Sequence, residues 1–258
     1  MSVESAMTAL ADAIRSKTGS AERMTLAEMP ELITGIQSGG DEALGALLDG
    51  SITEITIPPN VVTLRPYAFN KTKIRRLTLP PNVSKTGEYL ANSCIQLEEV
   101  TIENSEIFIG TAAFCACSAL KTVKFPNGIK SLGTSMFISS GLEAFIIPDN
   151  TTCVKAFAFS DCKWLHTVYI PASVTHFESS VFARCVSLEN VTLGNGFNAS
   201  GLNLDLCPLT VESMVQILGA LADNTGATAK ALTLGTTNLE KLTGEQIAIA
   251  TNKNWTLA

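Results

Sequence analysis

Seven leucine-type residues recur along the middle of the chain, at Ile52, Ile74, Leu97, Leu120, Leu142, Leu165 and Leu188, in steps of 22, 23, 23, 22, 23 and 23 residues. No other feature of the sequence restricts the fold as much. A unit this short cannot bury its own apolar face, so copies must stack and share a continuous interior. Each copy opens alike. Ile52-Thr-Glu-Ile55-Thr-Ile57-Pro58 is followed by Ile74-Arg-Arg-Leu77-Thr-Leu79-Pro80, and Leu165-His-Thr-Val168-Tyr-Ile170-Pro171 repeats the pattern later. The last apolar positions alternate with polar ones, as a short strand with one buried face requires. The proline that often follows stops the strand, because it cannot donate to the ladder.

The second half of each copy repeats as well. An aromatic or leucine column runs through Phe69, Leu90, Phe114, Phe137, Phe159 and Phe182. Three residues before the anchor a cysteine recurs, at Cys94, Cys117, Cys162 and Cys185, and Lys71 and Ser139 break that column. Both columns are expected to stack inside the coils, with buried cysteine acting as a small hydrophobe. The seven cysteines are odd in number and fit neither a disulfide framework nor a zinc site, since Cys115 and Cys117 are spaced C-x-C.

The ends depart from the period. Residues 1–37 predict two short helices, the second opened by the capping box Thr25-Leu-Ala-Glu28, with Ser38-Gly-Gly40 as a joint and one more helical turn over 41–49. Beyond Leu193, Thr210 opens an amphipathic helix to about Ala222, and residues 231–234 read as a strand. Thr243-Gly-Glu-Gln246 is a second capping box, and Trp255-Thr-Leu257 reads as a last strand. A stacked array needs such caps at its ends.

The unit L-x-x-[IV]-x-[IL]-P with AF-x-x-C-x-x-L resembles the BspA-like class of bacterial leucine-rich repeats. Tyr67-Ala-Phe69, Ala112-Ala-Phe114-Cys-Ala-Cys117, Ala158-Phe-Ser-Asp-Cys162 and Val181-Phe-Ala-Arg-Cys185 carry the match over about residues 50–200. Glu88-Tyr-Leu90 in place of AF, and Glu103 in place of the proline, depart from it. The resemblance implies a leucine-rich-repeat solenoid of 22–23-residue coils, β-rich with parallel strand stacking. A small helical N-terminal segment and linker (1–40) would precede the repeats (41–200), and an α/β C-terminal cap (201–258) would close them. It also implies adhesion to a protein or cell-surface glycan. Leu10 to Gly19 with Met24 to Pro30 resemble the N-terminal segment of minor structural proteins from phages of Gram-positive gut bacteria, and the ending Ile247 to Leu257 is similar to C-termini of such repeat proteins. That likeness implies a place in a virion or on a bacterial surface.

The net charge of −6 argues against a nucleic-acid partner. The first twenty residues show no basic start or apolar h-region, so a Sec leader is not expected from them. No apolar run of 18 residues appears, so membrane insertion is not expected. The two histidines, His166 and His176, match no catalytic motif, and no Walker A or G-x-S-x-G sequence occurs. Gly194-Asn-Gly196-Phe-Asn-Ala199 matches a dinucleotide fingerprint without a βαβ setting. Neither an enzyme nor a cofactor is therefore expected. What remains is the exposed strand face. Its outer column should hold Thr101, Lys124, Ile146, Tyr169 and Thr192, with His166 close by, and aromatic or exposed apolar residues there mark a candidate binding face.

Overall fold

The structure, a computed structural model, describes residues 53–57 and 60–258. The helices and joint expected over 1–49, together with Ile52 and Pro58, lie outside the described residues. The chain divides into two compact units, one ending at Pro126 and the other beginning at Asn127.

The first unit contains β1 (Glu54–Thr56), β2 (Thr63–Leu64), β3 (Arg76–Leu79), β4 (Lys85–Thr86), β5 (Glu99–Ile102) and β6 (Thr122–Lys124). A parallel sheet runs in the order β1-β3-β5-β6, and β2 pairs with β4 in a second ladder. The sequence period becomes the register, since Glu54 pairs with Arg76, Arg76 with Glu99 and Glu99 with Thr122. Alternation within a strand then sends Leu77 and Leu79 inward and Arg76 and Thr78 outward.

The second unit repeats this plan. Its repeat strands are β7 (Ser131–Leu132), β8 (Ala144–Ile146), β9 (Cys153–Val154), β10 (Thr167–Ile170), β11 (His176–Phe177) and β12 (Asn190–Leu193). One parallel sheet has the order β12-β10-β8 and the other β11-β9-β7. The rest of the unit is α1 (Val211–Ala220), β13 (Lys230–Leu232), α2 (Thr236–Leu239), α3 (Gly244–Thr251) and β14 (Trp255–Leu257). Helix α2 has no counterpart in the sequence expectation; the others follow it closely.

The hydrogen-bond pattern corrects the interior columns. Phe69 N–H donates to Leu90 O, Ala91 N–H to Ala113 O and Phe159 N–H to Val181 O. In a parallel ladder this places Ala91, not Leu90, level with Phe69 and Phe114. Coil two therefore carries Leu90-Ala91 where its neighbours carry Ala68-Phe69 and Ala113-Phe114. The large side chain has moved one place and the small one has taken its position, so the pair keeps much of its buried volume. In the second unit the column holds three stacked phenylalanines, with Phe137 and Phe182 each centred 5.5 Å from the Phe159 ring.

Counted from the same register, the cysteine column holds Thr72, Cys94 and Cys117 in the first unit and Ser140, Cys162, Cys185 and Cys207 in the second. Lys71 and Ser139 do not interrupt it; they lie beside it. These side chains share a task beyond filling space, for each is small and carries a donor. Cys94 Sγ donates to Phe69 O at 2.8 Å and Cys117 Sγ to Ala91 O at 3.1 Å. Cys162 Sγ donates to Phe137 O at 3.0 Å and Cys185 Sγ to Phe159 O at 3.1 Å. Thr72 Oγ1 donates to Phe69 O at 2.8 Å, and Ser140 Oγ lies 3.4 Å from Cys162 Sγ. The column gives a second partner to buried carbonyls that already accept the backbone N–H three residues on.

Those carbonyls belong to a sharp corner. Two residues before and two after each aromatic-column position the backbone turns left-handed, at Tyr67 and Lys71, Tyr89 and Ser93, Ala112 and Ala116, Ser135 and Ser139, Phe157 and Asp161, and Ser180 and Arg184. Their φ values lie between 54° and 62°. None is glycine, so each costs about 1 kcal/mol locally, and the packed column and its thiol bonds hold the corner shut.

The C-terminal elements seal the second unit. Thr210 caps α1, accepting from Ser213 N–H at 3.1 Å. Ser213 Oγ accepts from Val191 N–H at 2.8 Å and donates to Val191 O at 3.2 Å, so a helix side chain satisfies the edge of β12. The last turn of α1 carries no basic residue of its own. Lys253 supplies the charge instead, its Nζ donating to Leu218 O at 3.2 Å, Gly219 O at 2.6 Å and Leu221 O at 3.0 Å. Asn254, left-handed at φ 60°, donates to Asn224 O and Ala227 O, and Trp255 Nε1 donates to Ala222 O at 2.8 Å. The Lys-Asn-Trp run is thus a clasp that ties the chain end to the segment after α1.

Candidate binding face

The exposed side of each strand sheet has two outward columns on the strands and one at the strand entry. At the entry two successive N–H groups share one carbonyl of the preceding coil, so two consecutive residues face solvent. Arg75 and Arg76 share Thr53 O, and Glu98 and Glu99 share Arg75 O; in the second unit His166 and Thr167 share Glu143 O, and Glu189 and Asn190 share His166 O.

In the first unit these positions carry charges of alternating sign that neutralise one another. Arg75 pairs with Glu98, Arg76 with Glu54, and Lys124 with Glu99, while Arg76 Nε also lies 4.0 Å from Glu99 Oε2. The hydrogen bond and charge of Glu54 hold the Arg76 guanidinium above its ordinary pKa. Of the predicted face residues, Thr101 and Lys124 stand here, paired in register between β5 and β6. Lys124 is therefore one rung of a charge ladder, already partnered by Glu99.

The second unit is different. Ile146, Tyr169 and Thr192 are register partners across β8, β10 and β12, and the structure brings these three predicted residues into one line. Ile146 is 73% exposed, beside its register partner Tyr169. The parallel line is Ala144, Thr167 and Asn190, all exposed and all short. No side chain in either line is charged. At the strand entry His166, the fourth predicted residue in this unit, lies between Glu143 and Glu189 in the coils on either side. Reading from sequence missed Trp164, 64% exposed in the turn just before Leu165, and these two glutamates. The signal was available in the residues flanking the anchor leucines, at Glu143, His166 and Glu189.

Among the described residues the thiols of the interior column are shielded. All seven cysteines are free thiols, and the column members are buried. Burial pushes the Cys94, Cys117 and Cys185 thiols up, and the Cys207 thiol up to about 12, away from the range in which a cysteine becomes a nucleophile at neutral pH. Cys153 is half-buried and is the register partner of His176, yet burial and the charge of Glu178 raise its pKa too. His176 Nδ1 lies 3.2 Å from Ser200 Oγ. Among the described residues no group of three or more His, Cys, Asp or Glu side chains is arranged to hold a metal ion. No helix among them is long and apolar enough to cross a membrane.

The repeat can be compared with known proteins on this footing. The family model for the BspA type leucine rich repeat region matches in 6 copies, over residues 46–166 and 91–203. The chain belongs to this family. Solved structures with a similar fold include a leucine rich cell surface protein from Faecalibacterium prausnitzii, 22% identical, with a TM-score of 0.43 over 54% of this chain and 52% of that one. A leucine-rich repeat protein from Bacteroides ovatus is 22% identical, with a TM-score of 0.46 over 62% of this chain and 51% of that one. The T. pallidum leucine rich repeat protein is 23% identical, with a TM-score of 0.44 over 58% of this chain and 70% of that one. The match to the first two covers about half of each of those proteins. No curated protein matches the chain. Membership in the BspA-type family carries the leucine-rich-repeat solenoid fold with it, and marks the chain as a repeat-based surface or binding protein.

Proposed function

We propose that this BspA-type chain is a non-enzymatic binding protein whose second unit contacts a cell-surface protein or glycan through the strand face of β8, β10 and β12. The observation that carries the reading is the contrast between the two sheets. The first has its outward charges matched within itself, whereas the second presents an uncharged line with an exposed isoleucine and a tyrosine ring. A solvated face needs no such residues, and aromatic and apolar side chains concentrate at interfaces. The test is binding of the folded protein to intact Gram-positive cells, against Ile146→Ser and Tyr169→Ser. Both side chains face outward, so the variants should fold and melt as the parent does while binding falls. Unchanged binding would rule out this face.

A second reading makes the chain an assembly part of a phage tail or surface structure, with the repeats as a spacer. It rests on the likeness of residues 10–30 and 247–257 to phage structural proteins. The second of these segments is occupied structurally, since Lys253, Asn254 and Trp255 clasp the cap. The case for assembly therefore rests on the first segment, and deleting residues 1–37 should abolish incorporation into particles while leaving the repeats folded.

A further inference from the structure

We infer that Asn127 is a site of spontaneous backbone modification, converting to aspartyl and isoaspartyl forms while the chain is folded, and that the comparable Asn195 is protected. The chemistry is intramolecular and needs only water. The Gly128 nitrogen attacks the Asn127 side-chain Cγ and forms a C–N bond, while the side-chain amide takes the glycine proton and leaves as ammonia. Water then opens the resulting succinimide at either carbonyl, which gives an α-linked or a β-linked aspartate. Glycine is the following residue that least obstructs the attack, because it places no Cβ in the way.

The sequence contains two Asn-Gly steps, Asn127-Gly128 and Asn195-Gly196. Each stands in a turn, with its asparagine exposed. Each glycine has a positive φ, 115° at Gly128 and 77° at Gly196. A side chain would be strained in either place, so both turns call for glycine. By residue type, exposure and turn position the two steps are alike.

They differ at the attacking nitrogen. Gly196 N–H donates to Ala220 O at 2.9 Å. Phe197, the next residue, is fully buried, donates to the same carbonyl at 3.1 Å and bridges to Leu221, while Ala222 N–H donates back to Phe197 O at 2.9 Å. To react, the Gly196 nitrogen must leave its hydrogen bond and lose its proton, and the segment at the end of α1 holds it in place. The Gly128 N–H makes no hydrogen bond to the described residues. Anchoring resumes just after it, where buried Ile129 accepts from Thr151 Oγ1 at 3.3 Å and Lys130 O accepts from Thr152 N–H at 2.8 Å. Asn127-Gly128 is thus an unbonded turn tip on a fixed base, and solvent can deprotonate its nitrogen without any part of the fold opening.

The two products act differently on the structure. The α-linked aspartate adds one negative charge to an exposed turn and leaves the main chain as it was. The β-linked form routes the backbone through the former side chain and lengthens it by one atom. Ile129, two residues on, is 4% exposed and stays in a packed interior, so the added length is taken up against close-packed neighbours. The isoaspartyl chain should therefore melt below the parent, and its fraction records the age of the molecule.

The experiment incubates the full folded chain at physiological temperature, at neutral and at mildly alkaline pH, and follows both sites by mass spectrometry of digests made in acid. An isoaspartyl carboxyl methyltransferase with labelled S-adenosylmethionine marks the β-linked product. Asn127→Gln, whose longer side chain closes the ring far more slowly, and a urea-unfolded sample are run beside it. The expected result is conversion at Asn127, faster at the higher pH, with Asn195 slower by at least about fivefold, the ratio set by the net worth of one backbone hydrogen bond. In urea the two rates should converge, and in Asn127→Gln the methyl label should fall away. Equal rates in the folded chain, or faster conversion at Asn195, would overturn the inference. So would a folded chain in which neither site converts over a time that modifies both in urea. A difference that persists in urea would trace it to the neighbouring residues and not to the fold, and label that persists in Asn127→Gln would place the modification elsewhere; either result refutes the assignment.

Discussion

The donor column makes a prediction that an ordinary hydrophobic core would not. Cys185 is fully buried, and its Sγ donates at 3.1 Å to Phe159 O, which also accepts from Cys162 N–H at 3.2 Å. Cys185→Ala removes the thiol bond, worth about 1 kcal/mol net. It also removes the transfer free energy of one buried group, about 0.8 kcal/mol. The residual void adds about 0.5 kcal/mol if some 20 Å³ stays open. The expected loss is about 2 kcal/mol. Cys185→Ser keeps a donor, and its hydroxyl can reach a corner carbonyl, as Thr72 does with Phe69 O; the cost should stay under about 1 kcal/mol. Cys185→Val keeps the volume and more, but leaves the carbonyl with a single partner, and the extra methyl crowds a packed column. That variant should lose about 2 kcal/mol. A column that serves only to bury apolar atoms gives the reverse order, with valine best and serine worst. Urea unfolding followed by both circular dichroism and tryptophan fluorescence distinguishes the two, provided the slopes match across variants and the probes coincide. Cys185→Val exceeding Cys185→Ser in midpoint would refute the donor role.

Other consequences of the same interior can be measured directly. Under native conditions only Cys115 and Cys153, which are half-buried, should react with iodoacetamide within minutes, and the buried column thiols should label only on unfolding; mass spectrometry of digests locates the label. Because burial raises the thiols of Cys94 and Cys117 in one unit and Cys185 and Cys207 in the other above the ordinary value of 9.0, they stay protonated when folded after they would ionise unfolded. Their contribution is whole below pH 9 and is lost as pH rises toward the folded values, by about 1 kcal/mol each between pH 9 and 10 for Cys185 and Cys207. Urea midpoints that hold level to pH 10 would contradict this. Lys253→Met strips three carbonyls of a shared cation at the end of α1 and should destabilise the second unit by about 2–3 kcal/mol, read as an earlier unfolding transition of the cap.

The sequence made the strand register legible, because period and register are the same quantity when identical coils stack. It also showed the capping boxes, since Thr243 and Gln246 need only local geometry to find each other. Two things were hidden. The shorter steps, to Ile74 and to Leu142, lack one residue in the turn between the donor column and the anchor. Counting back three places in those coils lands on Lys71 and Ser139 instead of Thr72 and Ser140. The left-handed corners were hidden for another reason. Tyr67, Lys71, Phe157 and Arg184 carry no mark of positive φ, because the corner is imposed by packing and by its hydrogen bonds, not chosen by glycine. On the face, Tyr169 and Ile146 could be named from alternation alone, but the pairing of Lys124 with Glu99 required the longer reach of side chains across coils.

That division between legible and hidden follows from what stacking demands. Every interior position answers to the coil before it and the coil after it, so its residue type recurs and says nothing about a partner. The outward columns answer to no such requirement unless neighbours compensate one another, as Glu54, Arg76, Glu99 and Lys124 do. Where compensation is absent, the residue type is free to vary, and surface residues under no constraint drift toward the charged and polar. An isoleucine 73% exposed, a tyrosine in register beside it and a tryptophan 64% exposed in the preceding turn run against that drift within a single unit. In a repeat protein the function is accordingly to be sought where coils differ from one another on the outside, which is the ground for proposing the face of β8 and β10.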